Sequence, residues 1–230
     1  MKNILLVEDD TETAKLLQLH FHSQLYNLIC CISGSDAFSQ INTIQFDLVI
    51  LDISLPDMTG FEICKHLRDE GFLSPIIMLT SYAEEKDKVL AFELGADDYV
   101  TKPFGSLEFM SRIKALLRRA EPISSETIEQ KKEIIYKDVV IDTGKRKATV
   151  RGERLHLTHK EFDLLVLLAS HPGRTFNRSE LLEIIWREKF AGYENTITTH
   201  INRLRTKLEV DINKPEYILT SWGIGYRFSE

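Results

Sequence analysis

The stretch Leu48-Val49-Ile50-Leu51-Asp52-Ile53-Ser54-Leu55-Pro56 decides the fold. Its four consecutive large apolar residues read as a short strand buried on both faces, because a half-exposed strand would alternate apolar with polar. Asp52 closes the run. In open α/β sheets the carboxyl ends of the strands line the crevice where ligands bind, so an acid there is placed for chemistry. Three more runs end the same way: Ile4-Leu5-Leu6-Val7 before Glu8-Asp9-Asp10, Ile76-Ile77-Met78-Leu79 before Thr80, and Tyr99-Val100-Thr101 before Lys102-Pro103. If these strands are parallel neighbours, three acids, a hydroxyl and a lysine meet on one rim.

Reading outward from that stretch, residues 2–119 alternate strand and helix patterns. The expected strands lie near 3–7, 26–31, 47–51, 76–79 and 97–100. The expected helices lie near 10–22, 35–42, 60–69, 84–94 and 106–119. Strict alternation of this kind predicts a five-stranded parallel, doubly wound sheet with helices on both faces. Residues 120–133 are polar, with Pro122, Ser124, Ser125 and several charges, and read as a linker with an r.m.s. reach of roughly 20 Å. From Ile134 the pattern changes to short strands at Ile134–Tyr136, Val139–Ile141, Ala148–Val150 and Leu155–Leu157. Helices follow near 159–169, 178–186 and 195–208. A closing hairpin, Tyr217–Thr220 with Tyr226–Phe228, is expected around Gly223-Ile224-Gly225. The second domain, 134–230, is therefore α+β.

The net charge of −6 over 230 residues is unevenly spread. Residues 1–120 hold 11 Lys/Arg against 18 Asp/Glu, and residues 134–230 hold 16 against 13. An acidic first domain and a basic second one point to two jobs, the basic part being the one to set against nucleic acid. No apolar run is long enough to span a bilayer and the N-terminus runs directly into a strand, so a cytoplasmic protein is expected. The three cysteines, Cys30, Cys31 and Cys64, have no zinc-type spacing and read as buried small hydrophobes.

The rim acids suit a hard divalent cation. Mg²⁺ takes oxygen ligands and keeps several waters, so a few carboxylates suffice. Asp9 and Asp52 are the candidate direct ligands, with Glu8 acting through water. Asp52 can then act as a nucleophile toward phosphorus, with Lys102 and the Thr80 hydroxyl meeting two phosphoryl oxygens. On the helix 195–208, Ile197, Ile201, Leu204 and Leu208 recur at i, i+4, i+7 and i+11 and face the core. Opposite them lie Asn195, Thr199, Asn202, Arg203 and Thr206, flanked by His200, Arg205 and Lys207. A face of hydrogen-bonding groups and cations suits a DNA major groove, where Arg reads guanine and Asn reads adenine. Taken alone, it is also what a solvated helix shows.

Residues 1–119 resemble the receiver domain of bacterial two-component response regulators. The matching segments are Val7-Glu8-Asp9-Asp10, Leu51 through Gly60, Leu79-Thr80-Ser81, and Gly95 through Phe104. The resemblance implies a flavodoxin-like fold and an Asp52 that accepts a phosphoryl group from a sensor histidine kinase. It also implies Mg²⁺ held by Asp9, Asp52 and the Ser54 backbone carbonyl, a cis Lys102–Pro103 peptide, and a Tyr99 that turns inward as Thr80 meets the phosphoryl group. On helix 84–94, Leu90 and Leu94 form an i,i+4 line expected to face the sheet, leaving Val89 and Phe92 as a small exposed apolar patch. Relatives dimerise through this face, which implies an interface of Lys88, Val89, Phe92, Glu93, Asp98, Glu108, Met110, Arg112 and Lys114. The expected pairs between protomers are Lys88–Glu108 and Asp98–Arg112.

The second domain resembles the winged-helix effector of the OmpR/PhoB-type regulators. This rests on Leu157 through Leu165, Arg178-Ser179-Glu180-Leu181-Leu182, His200 through Arg205, and Gly223 through Phe228. A dimer on tandem promoter half-sites is implied, with a wing at 219–226 and an RNA polymerase contact at Arg187–Tyr193. The implied DNA contacts are Asn195, Thr198, Thr199, His200, Asn202, Arg203, Arg205, Thr206, Trp222 and Arg227. Trp222 stands where many relatives carry Arg, and Thr198 and Thr199 where they often carry Asp or Val, so base preference does not carry over. An aspartate-nucleophile phosphatase would also use strand-end acids, but such enzymes need a second acid two residues on, where this chain has Ser54. Slow self-dephosphorylation is the only turnover expected, and Tyr82, two residues beyond Thr80, is expected to lengthen the phosphoryl lifetime. A receiver that dimerises without phosphorylation would need a damaged pocket, and Glu8, Asp9, Asp52, Thr80 and Lys102 are all present.

Overall fold

The computed structural model describes residues 1–21, 25–81, 84–120, 133–186 and 195–230. The chain divides into two compact units, Met1–Ala120 and Glu121–Glu230.

In the first unit, five strands, β1 (Lys2–Val7), β2 (Tyr26–Cys31), β3 (Leu48–Leu51), β4 (Ile76–Thr80) and β5 (Asp98–Thr101), form one parallel sheet in the order β2-β1-β3-β4-β5. The crossover helices are α1 (Thr11–His20), α2 (Gly34–Ile41), α3 (Gly60–Asp69), α4 (Glu85–Leu94) and α5 (Ser106–Ala120). β3 is apolar at every position, and β1 and β4 are apolar except at Lys2, Asn3 and Thr80, because both faces are covered. Ile4, Leu6, Leu48, Ile50, Ile77 and Leu79 pack with Leu17 of α1 and Phe109, Ile113, Leu116 and Leu117 of α5. Their alternates Leu5, Val7, Val49 and Leu51 are equally buried.

Helix starts are set by side chains that satisfy the first backbone N–H groups. Asp10 accepts from the amides of Glu12 and Thr13, and Thr59 with Glu62 forms a reciprocal capping box for α3. Cys31 and Cys64 are buried as expected, but Cys30 is exposed. It lies on the edge strand β2, where one side-chain row faces out.

The register chosen for α4 differs from the expected one. Val89 and Phe92 are 5% and 3% exposed, whereas Leu90 is 40% exposed. Val89, Leu90, Ala91, Phe92 and Leu94 make the second half of this helix apolar around most of its circumference, so periodicity selects no unique face. The largest ring takes the core, and Leu90 is displaced outward.

The second unit holds two antiparallel sheets. β6 (Glu133–Tyr136), β7 (Val139–Asp142), β8 (Lys147–Val150) and β9 (Glu153–Arg154) form a meander. The strand expected at 155–157 is thus found earlier. Arg151 and Gly152 both have positive φ, a tight two-residue turn that pairs Val150 with Glu153. After it come α6 (His159–Ala169), β10 (Phe176–Asn177), α7 (Arg178–Trp186), α8 (Asn195–Leu208), β11 (Ile218–Ser221) and β12 (Gly225–Phe228). β10, a strand not expected from the sequence, joins β12 and β11 in the second sheet. The four residues Ile197, Ile201, Leu204 and Leu208 of α8 are fully buried, as their spacing predicts.

Candidate functional site

Parallel register assembles the acidic rim. Val7 pairs with Leu51 and Thr80 with Thr101, so the residues that follow, Glu8, Asp52 and Lys102, leave the sheet side by side. The Asp52 amide donates to the Val7 carbonyl at 2.9 Å, and the Lys102 amide to the Thr80 carbonyl at 2.8 Å. Carboxylate oxygens of Glu8, Asp9 and Asp52 all lie within 4.8 Å of one another. Lys102 Nζ donates to Glu8 Oε2 at 2.6 Å and to Asp52 Oδ2 at 2.7 Å. The Lys102–Pro103 peptide is cis.

One ammonium faces three carboxyl groups, and the electrostatics register the imbalance. Burial pushes the Glu8 carboxyl up to about 7, with the Asp52 charge adding to the rise and Lys102 opposing it. Burial works against the charge on Lys102, but hydrogen bonds and attraction from Asp52 and Glu8 outweigh it, so its pKa is raised. A cluster short of positive charge, made of oxygen donors, with Asp9 open to solvent and Glu8 and Asp52 buried, fits a divalent cation.

The loop after Asp52 is held from several sides. Ser54 N–H donates to Asp52 Oδ1 at 3.2 Å, and Ser54 bridges to Thr59. Gly60, the first residue of α3, sits so close to the strand end that an added Cβ would lie 2.1 Å from the Asp52 carbonyl oxygen. Any larger residue would displace the backbone of Asp52 itself. Asp57 reaches across to the start of α2, accepting from the amides of Gly34 and Ser35, each at 2.9 Å, and from Ser35 Oγ at 2.7 Å. These bonds hold the Asp57 carboxyl down at about 2. Neither Gly60 nor Asp57 was singled out from the sequence. The Gly60 contact is local to the loop, but nothing in the sequence marks the pairing of Asp57 with a helix start 23 residues earlier.

Thr80 is buried at the end of β4. Tyr99, on the neighbouring strand β5, is buried as well. Burial, then the charges of Asp87 and Asp52, raises its pKa. Val89 and Phe92 do not form the expected exposed patch, because both pack into the core. Lys88, Glu93, Asp98, Met110 and Arg112 are half-buried, and Glu108 and Lys114 are exposed. Arg112 pairs within its own chain, with both Asp98 oxygens at 3.1 Å and with Glu108 at 2.9 Å, so the Asp98–Arg112 pair expected between protomers is intramolecular here.

On α8, Asn202 and Thr206 are exposed, and Thr198, Thr199 and Arg203 are half-exposed. Two expected DNA contacts turn inward. His200 is buried against the Trp186 ring, with centroids 4.8 Å apart. Arg205 is buried and donates to the Ile218 carbonyl at 2.7 and 3.0 Å and to Thr220 Oγ1 at 2.8 Å. Both lie at the border of the apolar stripe, where a long side chain can fold back onto the next element. Lys207 likewise pairs with the buried Glu161 at 2.6 Å. Tyr226 Oη donates to Thr198 Oγ1 at 3.2 Å. Trp222 is at the hairpin tip, and Arg227, half-exposed, lies 4.0 Å from Glu230. Tyr82, residues 121–132, the loop Arg187–Tyr193 and the side chain of Asn195 lie outside the described residues.

Comparison with known proteins matches this division. The response regulator receiver domain family matches residues 4–114, and the family described as transcriptional regulatory protein, C terminal, matches residues 152–228. The alkaline phosphatase synthesis transcriptional regulatory protein PhoP of Bacillus subtilis (strain 168) is 41% identical over 234 residues, covering 100% of this chain and 97% of that protein. The chain belongs to the OmpR/PhoB-type response regulators. Among solved structures, the Thermotoga maritima OmpR/PhoB homologue DrrB is similar to this response regulator at 33% identity and a TM-score of 0.50, with full coverage of both chains. A RitR mutant is similar at 27% identity and a TM-score of 0.65, again with full coverage of both. This response regulator is thus a two-component, phosphorylation-dependent regulator of transcription, with a receiver and a DNA-binding winged-helix effector. Among the described residues, no helix is long and apolar enough to cross a membrane.

Proposed function

We propose that Asp52 is the phosphoacceptor, taking a phosphoryl group from a sensor histidine kinase, and that Asp9, Asp52 and the Ser54 carbonyl hold Mg²⁺ with Glu8 acting through water. The convergence of Glu8, Asp9, Asp52 and Lys102 on one rim is the observation that carries this reading. In the transfer, the P–N bond of the phosphohistidine breaks as a P–O bond to the Asp52 carboxylate forms, and the imidazole leaves. Bound Mg²⁺ supplies charge neutralisation for the transferring group. Lys102 then holds a phosphoryl oxygen and Thr80 another, with Tyr99 as the packed partner of that switch. Ser54, at the position where a phosphatase of this chemistry carries its general acid, limits turnover to slow self-dephosphorylation, with Tyr82 lengthening the phosphoryl lifetime.

The output reading is a homodimer. Lys88, Glu93, Asp98, Glu108, Arg112 and Lys114 supply its polar rim, and exposed Leu90 adds to it. Two effectors then engage tandem promoter half-sites through Asn195, Thr199, Asn202, Arg203 and Thr206 on α8, with RNA polymerase meeting the loop Arg187–Tyr193. The linker is 120–133, and the protein works in the cytoplasm. Sedimentation of wild type and Asp52→Ala, each with Mg²⁺ and beryllofluoride, tests the scheme. A monomer-to-dimer shift is expected in wild type alone. A shift in both, or in neither, removes Asp52 from the switch.

A further inference from the structure

The hairpin tip joins two features that the scheme above does not use. Trp222 is 90% exposed and Ile224 59% exposed, and every residue from Thr220 to Gly225 is uncharged. The tip is also closed by its own backbone. Ser221 pairs with Gly225, the Ile224 amide closes the turn onto the Ser221 carbonyl at 2.9 Å, and Gly223 takes the left-handed conformation that this loop demands.

Below the tip the hairpin is tied to α8. Arg205 of α8 donates to Ile218 and Thr220 of β11, and Tyr226 of β12 meets Thr198 of α8. Cations stack on the shaft, with Arg178 and Arg205 lying 5.5 and 5.6 Å from the centre of the Tyr226 ring, whereas residues 220–225 themselves carry no charge. The apolar tip is therefore carried on a hairpin whose shaft is bonded to α8, the helix read above as facing DNA. Its position makes duplex DNA its occupant.

We infer that Trp222, backed by Ile224, is an uncharged stacking wedge that engages duplex DNA at a deformable base step beside the groove read by α8. An apolar side chain inserted into the minor groove partly unstacks a step, and pyrimidine–purine steps yield most easily. A guanidinium at the same place would prefer the narrow, electronegative minor groove of an A-tract. The identity of residue 222 therefore sets sequence preference at a position that makes no base hydrogen bond. This inference rests on the placement of α8 as the DNA-reading helix.

The test uses the full-length protein activated with Mg²⁺ and beryllofluoride, and duplexes it recovers from a random double-stranded pool. Wild type is expected to enrich TA or CA steps at the outer edge of its sites, and Trp222→Arg to enrich A-tracts there. Bound DNA should quench a fluorescence component of wild type that is missing from Trp222→Arg, whose remaining Trp186 is buried. Trp222→Ala should weaken binding about tenfold, a typical loss for one base-stacking aromatic, at unchanged salt dependence. Trp222→Arg should steepen the slope of log affinity against log salt by about 0.9, the value of one added phosphate contact. Wild type that binds DNA with Trp222 fluorescence unmoved and Trp222→Ala binding equally well overturns the wedge alone. If Trp222→Ala changes sedimentation but not DNA binding, the tip is a contact between copies and the inference falls. If wild type recovers no duplex, or if Asn202→Ala and Arg203→Ala leave its site unchanged, the reading of α8 falls first and the wedge with it.

Discussion

Helices α4 and α8 were both read from the spacing of their apolar residues, with opposite outcomes. In α8 the apolar residues Ile197, Ile201, Leu204 and Leu208 are separated by polar ones, so only one face can be buried, and that face is the one found. In α4 the apolar residues are nearly contiguous, and two faces compete. The line Leu90–Leu94 loses to Val89 and Phe92 because an aromatic ring in the core removes more apolar surface from water than a leucine does. Amphipathic spacing thus identifies a buried face only where polar residues exclude the alternatives.

Substitutions can break this comparison. The largest effect is expected from Phe92→Ala, which should lower receiver stability by about 3–5 kcal/mol in urea unfolding, while Leu90→Ala changes it by less than about 1 kcal/mol. Equal losses would restore the Leu90 face. Ile201→Ala on α8 should cost about 2–5 kcal/mol, the loss expected of a residue with no competing face. Next comes the pair of arginines. Arg205→Ala leaves the buried Ile218 carbonyl and the half-buried Thr220 hydroxyl without this donor and should destabilise the effector by about 1–3 kcal/mol. Arg203→Ala should leave the unfolding midpoint alone and weaken DNA binding instead. Loss of affinity without loss of stability in Arg205→Ala would place it on the DNA face after all.

The smallest effect concerns α2, whose start is fixed by a residue remote in sequence. The Asp57 carboxyl is held down at about 2, so its clasp on Gly34 and Ser35 contributes in full above the unfolded value of about 3.9 and is lost as pH falls through about 2. Amide shifts of Gly34 and Ser35 followed by NMR should therefore stay constant through pH 4 and move only near about pH 2. Movement near pH 4 would mean that the clasp does not form in solution.

The convergence of Glu8, Asp9, Asp52 and Lys102 on one rim was legible because strand ends in a parallel sheet are positioned by topology. Once the apolar runs ending at Val7, Leu51, Leu79 and Thr101 are recognised, the residues after them have little freedom in where they point. The DNA face was legible only in part. Asn202 and Thr206 sit squarely opposite the core stripe and stay outside, but His200 and Arg205 lie at its border, where burial depends on what packs beside the helix. Only the structure supplies those neighbours, Trp186 and the β11 backbone. The same holds for β10, two residues long and paired only through β12. Cys30 was misread because composition says cysteines are buried, whereas an edge strand has one row with nowhere to hide.

The bonds from Arg205 to β11 and from Tyr226 to Thr198 have a consequence for how a signal can reach DNA. They tie α8 and the hairpin together as one bonded unit. On the proposed reading, a phosphoryl group at Asp52 can reach such a unit by proximity, without changing its shape. In the proposed dimer, two effectors held near each other raise the effective concentration of the second once the first is seated, and avidity needs no altered contact. In such a protein the spacing between half-sites is as much a part of the regulatory message as the bases within them.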